Sequence, residues 1–280
     1  MLRAAVLALT VAFLPEGFAQ ERARVGEDTL IKDPEVAAPG KWKVGGALEY
    51  WYVREETTPP QGSATSHVTS NQVGANAFAG YDNFTLQYTH RSGDEHLDTS
   101  ADISGGPFIT SQEVKRDSDE MTLRWLARDW STSLVTPYFL AGYAWGDSKA
   151  DINVTTGQRN ACTGTASYSR EFKFTAPFLG IGGIFPFTDA MGARVDGRYK
   201  RYQTTTQMLG ACPGLSRDGN GTDLTATGYY IITPAWNVQL GVKYQTVPGA
   251  ALQNAPGVTV EGNNSKRFGV FGMLGYTHEF

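Results

Sequence analysis

FGVFGMLGYTHEF, residues 268–280, is the stretch of this chain that decides its fold. Most even-numbered positions carry large apolar or aromatic side chains: Phe268, Val270, Leu274, Tyr276 and Phe280. The odd-numbered positions mix glycine, threonine and glutamate with Phe271 and Met273. Because successive side chains of a β-strand point to opposite faces, the pattern indicates a strand whose two faces meet different environments.

A strand of this kind, ending on an aromatic residue, resembles the closing strand of bacterial outer-membrane β-barrels, such as small porin-like or OmpA-type barrels without a C-terminal domain. In that family the strand is the signal read by the barrel-assembly machinery, and the resemblance assigns this role to Tyr276 and Phe280. His278 departs from the aromatic pattern. The resemblance implies the outer membrane of a Gram-negative bacterium as the location. It also implies lipid, lipopolysaccharide and the assembly machinery as partners, beside an extracellular ligand of unknown identity.

The N-terminal residues indicate export. Residues 1–19 contain Arg3, an apolar run at residues 4–14 and the sequence Gly17-Phe18-Ala19, which together predict a secretory signal peptide. A disordered soluble leader is the alternative. Residues 20–40 contain Pro34 and are expected to form a periplasmic N-terminal extension, and residues 41–280 are expected to form the barrel.

Composition alone suggests a different class. After residue 19 no apolar run is long enough for a membrane-spanning helix, the mean hydropathy is −0.30, and 41% of the residues are hydrophobic, as in a soluble secreted protein. A membrane barrel gives the same averages because apolar lipid-facing residues alternate with polar lumen-facing residues. The net charge of −4 argues against a nucleic-acid partner.

Ten segments have about the length of a tilted membrane strand, roughly 9–11 residues. They are residues 42–52, 73–81, 84–90, 121–127, 138–146, 172–184, 191–199, 224–232, 236–246 and 268–280. The fifth and sixth segments carry apolar residues at both parities. A barrel of eight or twelve strands therefore remains an alternative to ten.

The connections predict the topology. Links after even-numbered segments are short, as at Asp82-Asn83, whereas links after odd-numbered segments are long and polar. This alternation is typical of an antiparallel up-and-down barrel with short periplasmic turns and long extracellular loops. A soluble lipocalin-like barrel is the alternative, but it would bury apolar residues inside. In this chain the positions with aromatic side chains can contact lipid only if the alternate positions, which carry the charges, face the lumen.

The inward parity collects charges of both signs. The predicted lumen-lining residues are Lys43, Glu49, Arg91, Glu120, Arg124, Lys173, Arg194, Asp196, Arg198, Lys200 and Lys243. Such charges can form a salt-bridged plug, or they can line a water-filled path with a weak preference for anions. Barrels of about eight strands are filled by side chains and those with 16–18 strands are open, so ten strands favour a narrow or occluded lumen. The predicted role is therefore structural, with display of loops, and a small passive porin-like channel is the alternative.

The two cysteines, Cys162 and Cys212, fall in the predicted third and fourth extracellular loops. Because exported proteins mature in an oxidising compartment, we predict a disulfide between them, with two free thiols as the alternative. Their wide separation excludes a CxxC redox or zinc motif. The sequence implies no cofactor and no metal.

One motif resembles an enzyme site. Asp94-Glu95-His96 is similar to the Asp-x-His dyad of omptins, which are ten-stranded outer-membrane proteases, and the resemblance assigns the dyad roles to Asp94 and His96. In omptins an aspartate pair precedes the dyad on the facing wall, whereas Asp117 and Asp119 follow it on the adjacent strand. Parity also directs positions 94 and 96 outward unless a bulge at Ser92-Gly93 resets the register. Protease activity is therefore only a remote alternative.

Lipid-A-modifying barrels need a nucleophile and a base at a defined lateral opening. The four histidines, His67, His90, His96 and His278, form no evident Ser-His-acid set in the sequence. His90 and His278 are expected at outward or rim positions. We therefore predict that the protein is not an enzyme.

Overall fold

A computed structural model of the chain describes residues 33–58, 66–103, 106–156, 167–208, 212–249, 251–255, 258–261 and 264–280. The predicted signal peptide and Cys162 lie outside these residues, as do the side chains of His96 and Cys212. The disulfide consequently stays a prediction.

Strands make up nearly all of the described chain. They are β1 (Trp42–Thr58), β2 (Ser66–Tyr81), β3 (Phe84–Ile103), β4 (Gly106–Leu126), β5 (Thr136–Thr156), β6 (Ser167–Pro186), β7 (Met191–Met208), β8 (Cys212–Ile231), β9 (Trp236–Val247), β10 (Ala251–Ala255), β11 (Val258–Glu261) and β12 (Asn264–Glu279). A 3-10 turn, Arg128–Trp130, follows β4. No helix in these residues is long and apolar enough to cross a membrane.

Ten of the strands close into a barrel. Strands β1 to β9 pair with their neighbours in chain order, and β12 lies antiparallel between β9 and β1. At the seam Trp42 and Phe280 exchange two backbone hydrogen bonds of 3.0 Å each. The predicted ten-stranded up-and-down barrel is confirmed. Strands β10 and β11 form a separate hairpin between β9 and β12.

The strands run beyond the predicted membrane segments. Strands β3 and β4 pair without a register shift from Phe84↔Trp125 to Ile103↔Gly106, through residues that the sequence suggested to be loop. The alternation of apolar and polar residues ends where the outer face leaves lipid, but backbone pairing needs no such alternation and continues. Parity therefore marks the membrane-embedded length and not the length of the strand.

The short turns share one end of the barrel with the chain ends of the closing pair. Residue Asp82 has φ 50° in the two-residue turn between β2 and β3, a conformation that Asp tolerates in tight hairpins. In the turns before β7 and β9, Thr188 and Thr233 accept hydrogen bonds of 3.0 Å from the backbone N–H groups of Met191 and Trp236. We call this end the short-turn end, and the opposite end the loop end.

The outer wall carries an apolar belt between two aromatic girdles. The girdle at the short-turn end contains Trp42, Tyr81, Phe84, Trp125, Tyr230, Trp236 and Tyr276, and the other girdle contains Tyr50, Tyr52, Tyr88, Tyr143, Tyr199, Tyr244 and Phe268. Exposed leucines lie between them, including Leu240, which is 70% exposed. At the usual rise and tilt of barrel strands, the ten steps from Trp42 to Tyr52 correspond to about 25 Å, the height of an outer-membrane apolar band.

Candidate functional site

The inner wall carries the charges. The structure places the following predicted lumen residues there: Lys43, Glu49, Arg91, Glu120, Arg124, Arg194, Asp196, Arg198, Lys200 and Lys243. The prediction for Lys173 is wrong, because its side chain is 60% exposed on the outer face and pairs with Glu171 at 3.1 Å. The inward positions beside it are Phe172 and Phe174. This part of the inner wall is apolar, so the rule that charged residues face inward assigned Lys173 to the wrong face of the strand.

A segment from outside the barrel strands also occupies the lumen. In residues 33–40, which we call the N-terminal segment, Asp33, Glu35, Val36 and Ala37 are all buried. The segment belongs to the predicted N-terminal extension, residues 20–40, and it lies inside the short-turn end of the lumen. It is tightly turned, because Asp33 accepts hydrogen bonds from Glu35 N at 2.8 Å and from Val36 N at 3.2 Å.

Glu35 joins this segment to two arginines of the wall. Its carboxylate lies 3.0 Å from Arg124 Nη2 and 2.5 Å from Arg194 Nη1, and Gln239 Nε2 donates to it at 3.4 Å. Burial alone would raise the pKa of Glu35, but the attraction of Arg194 and then Arg124 outweighs it and lowers the pKa to about 2. Glu35 is therefore an ionised, buried partner of both arginines.

The backbone of the segment is held as well. Lys43 Nζ donates to the carbonyl oxygens of Asp33 at 3.2 Å and Val36 at 3.0 Å, and Arg128 Nη2 donates to that of Ala37 at 2.6 Å. Thr85 Oγ1 donates to the carbonyl oxygen of Glu35 at 3.2 Å. The carbonyls that the segment brings into the lumen thus gain donors from the wall.

A second group of charges crosses the middle of the lumen. Glu120 on β4 accepts from Lys200 at 2.8 Å and also pairs with Arg198 on the other side of the barrel. Asp223 accepts from Lys200 at 2.9 Å and from Lys243 at 3.2 Å. The pairs of Glu120 join β4 to β7, which are not neighbours in the sheet, so they bridge the lumen, whereas Asp223 on β8 pairs with cations of its two neighbouring strands, β7 and β9.

The remaining central charges are paired on the wall. Arg91 Nε donates to Glu49 at 3.0 Å, and Arg198 Nε donates to Asp196 at 2.7 Å. The rings of Trp51 and Phe271 stack at 5.1 Å, and the guanidinium of Arg91 lies 4.5 Å from the centre of the Trp51 ring. We call these pairs, together with those of Glu120 and Asp223, the central network.

Little space remains between the central network and the N-terminal segment. The cavity there has a volume of about 70 Å³, and its lining includes Glu35, Glu49, Arg194 and Lys243. A larger cavity of about 470 Å³ lies on the loop-end side of the central network, and we call it the upper cavity. The lumen is thus roomy toward the loop end and filled by side chains toward the short-turn end.

The upper cavity has both charged and apolar walls. Glu55 pairs with Arg116 at 2.7 Å and with Arg267 at 3.1 Å, and Arg116 also reaches Glu95 at 3.1 Å. Other inward side chains supply an apolar surface: Trp51, Val114, Ala150, Phe172, Phe174, Tyr202 and Val247.

Sequence reasoning missed several lumen charges. Asp223, which is 2% exposed, follows the inward parity of β8 and precedes the outward Leu224, so parity could have found it. Arg267 continues the inward parity of the closing strand in the same way. Asp33 and Glu35 belong to no strand, so no periodic signal marks them.

The aspartate of the candidate protease dyad does not face the lumen, and the side chain of His96 lies outside the described residues. Asp94 is exposed on the outer wall, and the pairing of β3 with β4 shows no bulge at Ser92-Gly93. Asp119 also lies on the outer wall, where it contacts His90 Nδ1 at 2.9 Å and accepts a hydrogen bond of 2.5 Å from Tyr88. Among the described residues, no three His, Cys, Asp or Glu side chains are placed to hold a metal ion.

No family model and no curated protein sequence matches the chain. Several solved outer-membrane proteins are similar in structure. The outer-membrane protease OmpT from Escherichia coli superposes with a TM-score of 0.53 at 9% identity, over 87% of this chain and 98% of that one. The translocator domain of the autotransporter NalP from Neisseria meningitidis superposes with a TM-score of 0.44 at 14% identity, over 83% of this chain and 88% of that one. An outer-membrane channel from Pseudomonas putida F1 superposes with a TM-score of 0.41 at 14% identity, over 89% of this chain and 98% of that one.

These likenesses concern the fold alone. The closed ten-stranded sheet, the apolar belt with its two girdles and the charged inner wall define the class: the chain is a bacterial outer-membrane β-barrel protein. Its particular role is a separate question, which depends on the lumen.

Proposed function

We propose that this protein is a closed outer-membrane barrel with a structural role in the envelope, and that its extended hairpins display loops outside the membrane. The observation that carries the proposal is the position of Glu35, which joins the N-terminal segment to Arg124 and Arg194 inside the lumen. Between this contact and the central network, the described residues enclose a cavity of about 70 Å³.

The central network supports closure in a second way. Glu120 on β4 is bound to Arg198 and Lys200 of β7, Asp223 is bound to Lys200 and Lys243 of its neighbouring strands, and both carboxylates are buried. Removing one partner of such a group leaves an uncompensated charge, so the network resists opening. A solute that crossed would have to part these pairs.

A small passive channel is the second candidate. It is favoured by the upper cavity, which extends from the loop end to the central network, and by the fact that the lowest part of the obstruction is a segment outside the strands. A channel would require the N-terminal segment to leave the lumen. An omptin-like protease is not our proposal, because Asp94 lies on the outer wall and the likeness to OmpT concerns the fold.

Lipid partners follow from the outer wall. Arg54, Arg201 and Lys266 are exposed two positions beyond the girdle residues Tyr52, Tyr199 and Phe268, on the loop-end side. Cations just above the apolar belt can pair with the phosphate groups of lipopolysaccharide. We propose these contacts together with recognition of β12 by the barrel-assembly machinery during insertion.

Conductance of the refolded protein in a planar bilayer tests the main proposal. We expect no persistent current steps from the chain that retains residues 33–40. Stable, voltage-independent steps would contradict closure and favour the channel. A porin reconstituted in the same bilayer controls for insertion.

A further inference from the structure

Among the described residues, one cation of the upper cavity has no carboxylate partner. Arg170 on β6 lines it, and within the described residues no carboxylate contacts its guanidinium group. The neighbouring cations are different: Arg116 and Arg267 are both paired with Glu55. Since partly buried arginines are usually paired, an unpaired one that faces a cavity is a candidate for binding an anion.

A second polar group points the same way. Thr206 lies on β7 opposite Phe172 and is 4% exposed as a residue, and its buried hydroxyl makes no hydrogen bond to the described residues. It lines the same cavity as Arg170. A buried hydroxyl without a partner costs free energy, and a bound acceptor would remove that cost.

The charge balance of the cavity also favours an anion. The other cations of its lining already have carboxylate partners: Arg91 pairs with Glu49, Lys200 with Glu120 and Asp223, Lys243 with Asp223, and Arg116 and Arg267 with Glu55. Within the described residues Arg170 is therefore the lining cation that no carboxylate compensates, and an anion would supply its partner.

The walls indicate what the anion carries. Phe172, Phe174 and Tyr202 lie close together, with ring centres 6.3 Å and 5.9 Å apart, and Val114, Ala150 and Ile152 form an apolar cluster that includes cavity-lining residues. A volume of about 470 Å³ is within the range of small-molecule sites. A bare inorganic anion would leave these walls without a partner.

We propose that the upper cavity binds an amphiphilic organic anion: an aromatic or aliphatic body against Phe172, Phe174 and Tyr202, with a carboxylate, sulfonate or phosphate on Arg170 and Thr206. The inference goes beyond the structural role proposed above. It requires only that the cavity can be reached from the loop end, and it holds whether or not the lumen conducts.

Calorimetric titration of the full chain in lipid nanodiscs tests the proposal, with empty nanodiscs as the blank. The probes are 2-naphthoate, 2-naphthalenesulfonate and 2-naphthyl phosphate, and the neutral 2-naphthamide shares their ring. We expect saturable binding of at least one anion and at least tenfold weaker binding of the amide. Equal affinity for the amide, or no anion binding above the blank, would overturn the inference.

Variants locate the site. Arg170→Gln is expected to weaken anion binding at least tenfold, and Arg170→Lys is expected to restore part of it. The matched control is Lys173→Gln, three residues away on the outer face of the same strand, which is expected to bind as the unchanged protein does. Heat-modifiable migration on gels verifies that each variant is folded. If folded Arg170→Gln binds as tightly as the control, the proposed site is wrong, whatever the bilayer recordings show.

Discussion

Glu35 Oε2 accepts a hydrogen bond of 3.0 Å from Arg124 Nη2, which joins a segment outside the barrel strands to a residue 89 positions away on β4. Both side chains are buried, and Arg194 approaches the same carboxylate from the opposite part of the wall. One carboxylate therefore contacts two arginines of the wall, and Asp33 Oδ1, 3.5 Å from Arg194 Nη1, brings a second negative charge to them. The N-terminal segment is thus part of the folded structure of the barrel.

Replacing Glu35 with alanine is expected to lower the free energy of unfolding by about 3–5 kcal/mol, because it leaves Arg124 and Arg194 buried without their common partner. Urea unfolding in lipid vesicles, followed by tryptophan fluorescence, measures the change. Glu113→Ala is the control, since Glu113 is exposed on β4, and it is expected to change stability by less than about 0.5 kcal/mol. Equal effects of the two substitutions would show that Glu35 does not have this role.

The ionisation of Glu35 is expected to make the stability of the barrel depend on pH. The pKa of Glu35 is lowered from 4.5 to about 2 because Arg194 and Arg124 outweigh the effect of burial. Its contribution to stability is therefore complete above about pH 4.5 and declines as the pH falls toward 2. The stability difference between the unchanged protein and Glu35→Gln should shrink over this range, as measured by unfolding at pH 7, 4.5 and 2.5. A difference that stays constant over these pH values would contradict the assignment.

The sequence predicted the barrel well because one physical constraint acts on every strand. Lipid on one side and a polar lumen on the other impose a period of two, and this period is visible in residues 236–246 and 268–280. The constraint is weak at β5 and β6, where Tyr138, Leu140 and Phe178 face inward and are buried. Because apolar residues occur at both parities there, the sequence does not show which face of the strand points into the lumen, and Lys173 was assigned to the wrong face.

The lumen was harder to predict than the wall. Sequence parity shows which charges face inward. It does not show which of them meet across the barrel, because that depends on how the sheet closes and on the register of its strands, as for Glu120 on β4 and Lys200 on β7. The N-terminal segment has no periodicity at all. Asp33 and Glu35 gain their significance only from Arg124 and Arg194, which are distant in the chain.

Removing the N-terminal segment tests its part in closing the lumen. A chain that begins at residue 41 lacks every contact of Asp33, Glu35 and Val36 with the wall. We expect brief or persistent current steps in planar bilayers, at a frequency well above that of the chain of residues 20–280. A chain that begins at residue 33 keeps these contacts and is the control. If both truncated chains are silent, the central network alone closes the lumen.

Charges on the outer wall are expected to destabilise the barrel according to their depth. Leu240 is 70% exposed at the middle of the apolar belt, so Leu240→Arg is expected to cost about 2–4 kcal/mol. Val73 is 62% exposed at the level of Tyr50, near the loop-end girdle, and Val73→Arg is expected to cost about 0–1 kcal/mol. Unfolding in vesicles of fixed lipid composition compares the two. Equal costs would mean that the belt is not positioned as described.

Gly182 makes room for a buried tyrosine. The ring of Tyr138 lies directly over Gly182 on the neighbouring strand, where an added Cβ would collide with it, and the Tyr138 hydroxyl donates to Asp196 Oδ2 at 3.3 Å. Gly182→Ala is therefore expected to destabilise the barrel by about 1–3 kcal/mol by displacing the ring. Gly197 is the matched control, since an added Cβ there meets no atom within 4 Å, and Gly197→Ala is expected to change stability by less than about 0.5 kcal/mol. Urea unfolding of both variants decides the matter: if Gly182→Ala is as stable as Gly197→Ala, the ring of Tyr138 does not need the glycine.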